Sequence, residues 1–406
     1  MSDRAPRAAS ALAALSATLA IQVYTSVTAT AVAVLAPVLA HDFGIAPSWI
    51  GVFIGLLYVG AMTGSLASGE LVGRYGAIRV SQACVVLCAA GMAAMAVLPA
   101  TAVALFALTA VLMGMGYGPI TVASSEVLVR TTRPDRMALT FSIKQTGVPA
   151  GTAIAGALLP AAALAFGWRG TLAAVAIAGL AVAIASQPIR AALDDDRSPS
   201  LRFTFAAIAE PLAIVLRSPA LARLSAVSFM YSAVQVSLTS FVIVFLTESL
   251  GWPLVAAGLV LTVTTLAGVV GRIAWGALAD RTRAPGKVLA AIGALAAASA
   301  AAFAVASPAW PAFAIGALAA VFGGTAIGWN GVQLAEVARQ APRGKAGIVT
   351  GATGFVTFFG VVVGPPAFAA IAGAAGGYPA AFGLLAMLSI GGAALARGRK
   401  PTSPPA

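Results

Sequence analysis

Long apolar stretches recur along the chain and are separated by short polar breaks. Each stretch is near or above ~20 residues, the length at which an α-helix crosses the hydrocarbon core of a bilayer. The pattern predicts twelve membrane-spanning helices, named spans 1 to 12, over residues 12–40, 48–71, 79–98, 101–128, 138–165, 168–188, 221–247, 253–279, 287–306, 309–335, 346–373 and 378–396. The apolar run of span 1 is too long for the core of a cleaved signal peptide, so we interpret it as a retained helix.

The predicted fold class is therefore an all-α membrane protein. One long polar interruption, around "DDDRSPS", separates six spans from the next six. We expect an N-terminal six-helix bundle at 1–188, a cytoplasmic linker at 189–220 and a C-terminal six-helix bundle at 221–406 that ends in a short cytoplasmic tail. The apolar part of the linker allows two interpretations, a helix lying on the membrane surface or a partly ordered connection.

The basic residues predict the orientation in the membrane. Of the 24 Lys and Arg residues, 21 lie at the two chain ends, in the middle segment or in the breaks after spans 2, 4, 8 and 10. The opposite breaks hold only Arg169. The positive-inside rule then places both termini in the cytoplasm of a multi-pass protein of the bacterial inner membrane. This distribution also accounts for the net charge of +12 without nucleic acid, whose partners gather basic residues on one folded face.

Composition excludes several classes of protein. The chain is 60% hydrophobic and only 9% charged, whereas a soluble domain has roughly 25% charged residues, so the bilayer must be its solvent. An enzyme is not expected, because there is no Ser/His/Asp set and no metal cluster, and the single histidine, His41, is peripheral. No cofactor is expected. Cys84 and Cys88 share a helix face and are interpreted as small core residues. We expect a monomer.

Two cations stand in long apolar runs, Lys144 in predicted span 5 and Arg272 in predicted span 8. Neither has an Asp or Glu within one helical turn along the sequence. At ~1.5 Å per residue each lies roughly 12 Å inside the cytoplasmic edge, near the middle of a ~30 Å hydrocarbon core. A charge at that depth is costly and marks function, so we interpret the missing counter-charge as an anionic substrate that bridges the two halves. The alternative is that both side chains extend to the cytoplasmic interface.

The two halves of the chain resemble each other at an offset of roughly 207 residues. The segment "GELVGRYG" from Gly69 matches "GALADRTR" from Gly276, and Gly147 falls opposite Gly354. Acid–base pairs close to the ends of spans 4 and 10 also correspond. Two halves of six spans in the same orientation are the pattern of parallel repeats in carriers.

On these residues the chain resembles the major facilitator superfamily over nearly its whole length. The superfamily signature after span 2, Gly-x-Leu-x-Asp-Arg-x-Gly-x-x-Arg, is present here as Gly69, Leu71, Gly73, Arg74, Gly76 and Arg79, with Gly73 where Asp is expected, and its second copy keeps Gly276, Leu278, Asp280 and Arg281. The run "KQTGVP" at 144–149 resembles cyanate-type permeases. The Gly-Arg arrangement of span 8 resembles oxalate/formate and monocarboxylate porters, in which that arginine is implicated in holding a carboxylate.

The resemblance implies roles for further residues. Spans 1, 4, 7 and 10 line the central cavity of the superfamily, and the residues expected to bind substrate with Lys144 and Arg272 are Gln145, Gln22, Tyr24, Tyr58, Tyr117, Tyr231, Gln235, Trp329 and Asn330. For each, an interhelical hydrogen bond or simple packing is an equal alternative. The residues expected to form gating salt bridges between helices at the cytoplasmic side are Arg74, Glu126, Arg130, Asp280, Arg281, Glu336 and Arg339. The alternative is that these charges only orient the chain.

The predicted function is secondary active transport of a small organic or inorganic anion, favouring a carboxylate, by alternating access and with proton-coupled uptake. Anion exchange stays open, because no mid-membrane carboxylate is present to carry the proton. The competing interpretation is a drug/proton efflux pump of the same fold, although the buried acid that binds cationic drugs is not seen. A receptor or assembly factor that does not transport is a third, weaker alternative, because it would not need buried cations.

Overall fold

The structure is a computed structural model that describes residues 11–99, 102–132, 140, 143–194, 206–342 and 346–397. These residues form helices and no β-strand. In chain order the helices are α1 Ala11–Val34, α2 Ala36–Phe43, a 3₁₀ turn Pro47–Trp49, α3 Ile50–Tyr75, α4 Ala77–Val97, α5 Val103–Tyr117, α6 Ile120–Thr131, α7 Gly147–Ala185, α8 Gln187–Leu193, α9 Ala206–Arg217, α10 Pro219–Glu248, α11 Leu254–Thr282, α12 Pro285–Ala304, α13 Ala312–Ala326, α14 Asn330–Gln340, α15 Ala346–Ala374 and α16 Tyr378–Arg397.

The described residues contain eleven helical segments long and apolar enough to cross a membrane. One of them, Ile143–Ala185, has 43 residues, about twice the ~20 that a single crossing needs. Gly167 inside it has φ 70° and ψ 162°, a backbone conformation that suits glycine and interrupts the helix. Spans 5 and 6 are therefore the two parts of α7, and the all-α membrane fold with twelve spans is confirmed.

The remaining spans follow the helices in order. Span 1 is α1 with α2, span 4 is α5 with α6, and span 10 is α13 with α14. The middle segment contributes the short helices α8 and α9. Several of the basic residues used to predict orientation lie outside the described residues, namely Arg4, Arg7, Arg133, Arg136, Arg197, Arg202, Arg343, Lys345, Arg399 and Lys400.

The chain divides into two compact units. Unit 1 contains the described residues up to 194 together with Pro253–Thr262, and unit 2 contains residues 206–252 and 263–397. The first turns of α11 thus belong to unit 1. There the Thr262 hydroxyl donates a hydrogen bond to the Ala153 carbonyl at 3.0 Å, and the backbones at Gly258 and Gly156 touch.

In unit 1, span 2 (α3) and the first part of span 4 (α5) approach each other with almost no side chain between them. A methyl group added at Gly114 would overlap the Leu57 carbonyl, and one added at Gly64 would meet the Met115 carbonyl. Such close contacts between small residues are a common way to pack helices where lipid removes the hydrophobic driving force. Span 4 then breaks before Pro119, which has no N–H to continue the helix.

Unit 2 repeats this packing between α11 and α13. A methyl group at Gly323 would overlap the Thr264 carbonyl, and one at Gly271 would overlap the Gly324 carbonyl. Gly64 and Gly271 are 207 residues apart, and Gly114 and Gly323 are 209 apart. The internal repeat is therefore confirmed in the way helices pack as well as in the sequence.

The repeat is also seen in two further helix contacts. Span 1 packs on span 5 in the first half, and span 7 packs on span 11 in the same way in the second half. The Ser26 hydroxyl donates to the Val148 carbonyl at 2.6 Å, and the Ser232 hydroxyl donates to the Thr357 carbonyl at 2.8 Å. The accepting residues are 209 apart, which makes position 356 the counterpart of Gly147. The expected match of Gly147 with Gly354 is thus shifted by two residues.

Helix α4 is held at both ends by side chains that flank span 6. At its N-terminus the Asp194 carboxylate accepts hydrogen bonds from two backbone N–H groups of the first turn, at 2.8 and 3.0 Å. At its C-terminus the Arg169 guanidinium donates to the carbonyls of Ala96 (3.2 Å) and Leu98 (2.7 Å). These bonds satisfy groups that helix ends leave open, and the two charges complement the helix dipole.

Candidate functional site

Lys144 lies in the short helical stretch 143–145 just before α7 and is only 1% exposed. Its ammonium nitrogen is 3.3 Å from the Oε1 atom of Gln145. The ion pairs among the described residues join Arg169 to Asp42, Arg190 to Asp194 and Arg339 to Glu336, and none of them includes Lys144. A cation is thus buried next to an amide oxygen, an arrangement that is costly without a counter-charge.

Gln22 of α1 packs beside Gly147, which follows Lys144 by three residues along the chain. Its side chain packs against Gly147, where an added methyl group would come within 2.9 Å of the Gln22 Cγ atom. Gln22 is 1% exposed, and its Oε1 atom has no hydrogen-bond partner among the described residues. A buried amide atom without a partner costs free energy, so this end of Gln22 is suited to a polar ligand.

A strip of hydroxyl groups continues along the same interface between α1 and α7. The Thr152 hydroxyl lies 3.4 Å from that of Ser26 and 3.2 Å from that of Thr30. Tyr24 does not join this surface, because residues two apart on a helix point in nearly opposite directions. Its ring packs against Gly179 in the second part of α7.

Tyr58 and Tyr117 meet at the break in span 4. Their rings are 6.0 Å apart between centroids and nearly perpendicular, at 81°, which is a favoured geometry for aromatic pairs. Both residues are half-buried. The structure therefore brings these two predicted residues together on α3 and α5.

In unit 2, four of the predicted residues form one polar and aromatic cluster on α10 and at the start of α14. The Gln235 Oε1 atom accepts hydrogen bonds from the Trp329 indole and from the Asn330 amide, each at 3.1 Å. The Trp329 and Tyr231 rings are 5.8 Å apart and nearly perpendicular. The Tyr231 hydroxyl donates to the Leu289 carbonyl at 2.7 Å, which holds the ring in place.

Arg272 lies beside the break in span 10, between α13 and α14. Its Nε atom donates a hydrogen bond to the Ile327 carbonyl at 3.1 Å. One turn further along α11, the Trp275 indole donates to the Gly324 carbonyl at 2.9 Å. The sequence predicted a functional role for Arg272 but gave no reason to choose Trp275, since nothing local shows that span 10 breaks opposite it.

Two of the residues expected to form gating salt bridges pair with each other on one helix of unit 2. Glu336 pairs with Arg339 one turn away on α14 and accepts a hydrogen bond from the Gln340 amide at 2.9 Å. Residues three and four apart are neighbours on a helix, so these contacts close within α14. Together with Asp280, Glu336 and Arg339 line a cleft of about 480 Å³, and the gating role of the whole set stays a prediction.

The corresponding charges of unit 1 are arranged differently. Arg130 donates to the Leu193 carbonyl at 2.9 Å, and Arg74 lies 5.4 Å from the ring of its neighbour Tyr75. Glu126 and Arg281 are exposed, the latter in unit 2. Sequence reasoning missed Asp194, which provides a carboxylate at this end of unit 1 where the signature position Gly73 has none.

Comparisons with known proteins agree on the family. The sequence model of the Major Facilitator Superfamily matches residues 16–365. Similar solved structures include a mutant of the nucleoside transporter NupG (13% identity, TM-score 0.78, 94% of this chain and 98% of that chain) and an inward-facing, unoccupied bacterial homologue of the human lysosomal transporter Spinster (17%, 0.74, 95% and 94%). A POT family transporter in complex with 5-aminolevulinic acid is also similar (12%, 0.76, 94% and 94%). No curated protein sequence matches the chain.

Proposed function

The chain belongs to the major facilitator superfamily and is a membrane transporter rather than an enzyme, and on that premise we propose that it carries a small anion. The favoured substrate is a carboxylate, moved by alternating access across the bacterial inner membrane. Both termini lie in the cytoplasm in this proposal, and the protein acts as a monomer.

The observation that supports an anion is the burial of Lys144. Its ammonium is almost fully removed from solvent and has Gln145 as its recorded polar contact. Removing a charge from water costs several kcal/mol unless an opposite charge compensates it. A substrate carboxylate or a small inorganic anion would supply that charge. The site would therefore bind anions more tightly than neutral or cationic molecules of the same size.

Gln22 is the second residue of unit 1 that we propose to bind the anion. The two ends of a glutamine amide are nearly interchangeable in shape, so the unpartnered end can present either an oxygen or an NH₂ group to the ligand. With NH₂ turned towards the ligand, Gln22 donates to an oxygen of the anion while Lys144 provides the charge. Among the unit 2 residues, the proposal assigns substrate contacts to the Gln235, Asn330 and Trp329 cluster and to Arg272.

The proposed transport is proton-coupled uptake. No carboxylate is predicted at mid-membrane depth, so the proton travels with the anion or on the Lys144 amine. Exchange of one anion for another would need no proton. The two modes differ in whether a pH gradient drives accumulation of substrate in proteoliposomes.

Thermal unfolding of the purified protein in detergent tests the anion proposal. Monocarboxylates, dicarboxylates, cyanate, nitrate and nitrite are compared with hydrophobic cations, because a ligand at 100 times its Kd stabilises the folded state by about 2.7 kcal/mol. One class of anion is expected to stabilise the wild type and the exposed-lysine control Lys287→Gln, and not Lys144→Gln. Equal stabilisation of Lys144→Gln would contradict the site, and stabilisation by cations alone would contradict the anion.

A drug efflux pump is the second candidate, and an apolar cavity favours it. The cavity, about 510 Å³ in volume, lies in unit 1 and is lined by apolar side chains such as Phe43, Trp49, Phe53, Met95 and Phe106. Volume and lining suit a hydrophobic small molecule. Deleting the gene would then sensitise cells to several unrelated hydrophobic cations, and unchanged tolerance would remove this candidate.

A further inference from the structure

The breaks in spans 4 and 10 are equivalent in the repeat but are made differently. Gly114 corresponds to Gly323 at an offset of 209, so Pro119 of span 4 corresponds to Gly328 of span 10. Proline interrupts a helix through its own covalent structure, since it lacks the N–H and its ring collides with the preceding turn. Glycine permits an interruption and does not impose one. Something else must therefore keep span 10 broken.

Hydrogen bonds at the break show which side chains keep span 10 interrupted. The Gly328 N–H donates to the Thr325 carbonyl at 3.2 Å, whereas a continuous helix would direct it to Gly324. The Gly324 carbonyl accepts instead from the Trp275 indole. Beyond the break, the Gln333 N–H donates to the Trp329 carbonyl at 3.1 Å. Backbone carbonyls inside a membrane must find donors, and side chains of α11 provide them here.

We propose that Arg272 and Trp275 hold the break in span 10, and that Arg272 acts as a positioning residue through its Nε–H rather than only as a charge. Its bond to the Ile327 carbonyl fixes the residue that precedes Gly328. The first residues after the break are Trp329 and Asn330, whose donors both reach Gln235. Arg272 and Trp275 thus determine the position of Trp329 and Asn330 relative to Gln235.

The proposal implies that the two breaks differ in permanence. Pro119 has no N–H to donate to the Met115 carbonyl, so span 4 lacks that backbone hydrogen bond in every state of the protein. Span 10 is interrupted only while the donors of α11 occupy the carbonyls of Gly324 and Ile327. When they leave, those carbonyls need new donors, and the N–H groups of Gly328 and Gly331 are the nearest in a continuous helix. A transporter that cycles between states would then have one fixed and one adjustable break.

Two substitutions at Arg272 separate the positioning role from a role of the charge. Arg272→Gln removes the charge but places an amide nitrogen as many bonds from the backbone as the Nε atom. Arg272→Lys keeps the charge but has a methylene group at that point. Transport does not rank these two variants, because Arg272 is also a proposed substrate contact. We expect the hydrogen bond to the Ile327 carbonyl to be kept in Arg272→Gln and lost in Arg272→Lys, and the variants are ranked by the state of the break itself.

Hydrogen exchange of the apo protein measures the state of the break and needs no substrate. Amides of residues 327–331 are expected to exchange more slowly in Arg272→Lys, because the helix closes across Gly328, and at the wild-type rate in Arg272→Gln. Trp275→Phe removes the other donor but keeps an aromatic ring, and it is expected to slow the exchange of the same amides. It therefore provides the test if Arg272→Lys does not fold. Exchange unchanged in these variants would overturn the proposal.

Matched controls exclude general effects of the substitutions. Arg397→Lys changes an exposed arginine at the end of α16, and Trp310→Phe changes a tryptophan away from the break. Both are expected to leave exchange of residues 327–331 unchanged. The exchange experiment contains no anion, so its result does not depend on whether the anion proposal is correct. In the same way, unchanged exchange would overturn the role of Arg272 and Trp275 without contradicting stabilisation of the protein by anions.

Discussion

Replacing Asp194 by Ala should destabilise unit 1, although Asp194 lies in the segment that connects the two halves of the chain. The carboxylate is 4% exposed and accepts the backbone N–H groups of Ile78 and Arg79 at the start of α4. Gly76, just before that helix, has φ 94° and lies so close that an added methyl group would overlap the carboxylate. Alanine at position 194 therefore leaves one buried and one partly buried N–H group without their acceptor.

The magnitude follows from these two bonds. Loss of a helix N-cap costs about 0.5–2 kcal/mol, and a hydrogen bond to a charged group contributes about 1.5–3 kcal/mol. Because both bonds share one carboxylate, we expect a total loss of about 2–4 kcal/mol in the free energy of unfolding. The Arg190 contact, at 3.9 Å with a partly exposed arginine, adds little. Asp194→Asn keeps one acceptor oxygen and should lose about half as much.

Thermal unfolding in detergent measures this loss. For a unit of roughly 200 residues, each kcal/mol lowers Tm by about 2–4 °C, so Asp194→Ala should unfold roughly 4–16 °C below wild type. Asp280→Ala, which removes an exposed carboxylate at the end of α11, is the control and should stay within about 0.5 kcal/mol. If the two alanine variants unfold at the same temperature, Asp194 does not cap α4 and the reasoning is wrong.

Two further predictions concern unit 2. Gly323→Ala should reduce the yield of folded protein strongly, because the new methyl group overlaps the backbone of α11, whereas Gly316→Ala on the same helix meets open space and should behave as wild type in size-exclusion chromatography. Gln235→Leu removes the acceptor shared by Trp329 and Asn330, which costs about 1–3 kcal/mol for each donor left buried, and should slow transport in proteoliposomes. Wild-type transport by that variant would show that the cluster is dispensable.

The fold was predictable from the sequence because bilayer thickness sets the length of each apolar segment. Gly167, which divides spans 5 and 6, leaves the helical pattern of α7 almost continuous, yet 43 residues cannot be one crossing. Glycines in apolar spans favour close packing of helices. They did not predict which carbonyl each glycine would face, since that depends on the register between two helices distant in sequence.

The candidate site was predictable only in part. The burial of Lys144 follows from its place in an apolar run, but the position of Gln22 against Gly147 depends on how α1 packs on α7. Counting spans also placed Tyr24 with Gln22, although the turn of the helix separates them. For Arg272 the charge was visible in the sequence, and its partner was not, because the Ile327 carbonyl is available only where span 10 breaks.

The unequal breaks bear on how such a protein can evolve after duplication. On α3 the counterparts of Arg272 and Trp275, at the offset of 207, are Ser65 and Ser68, and the Ser68 hydroxyl donates within its own helix to the Ser65 carbonyl at 2.6 Å. Ser65 packs against Gly118 at the break of span 4, where an added methyl group would lie 2.8 Å from its hydroxyl oxygen, so this contact limits the size of the side chains. In the second half, two side chains of one helix and the backbone of another must change together. Variation among descendants should therefore keep hydrogen-bond donors on α11 matched to the carbonyls of span 10, and should keep small side chains matched between α3 and span 4.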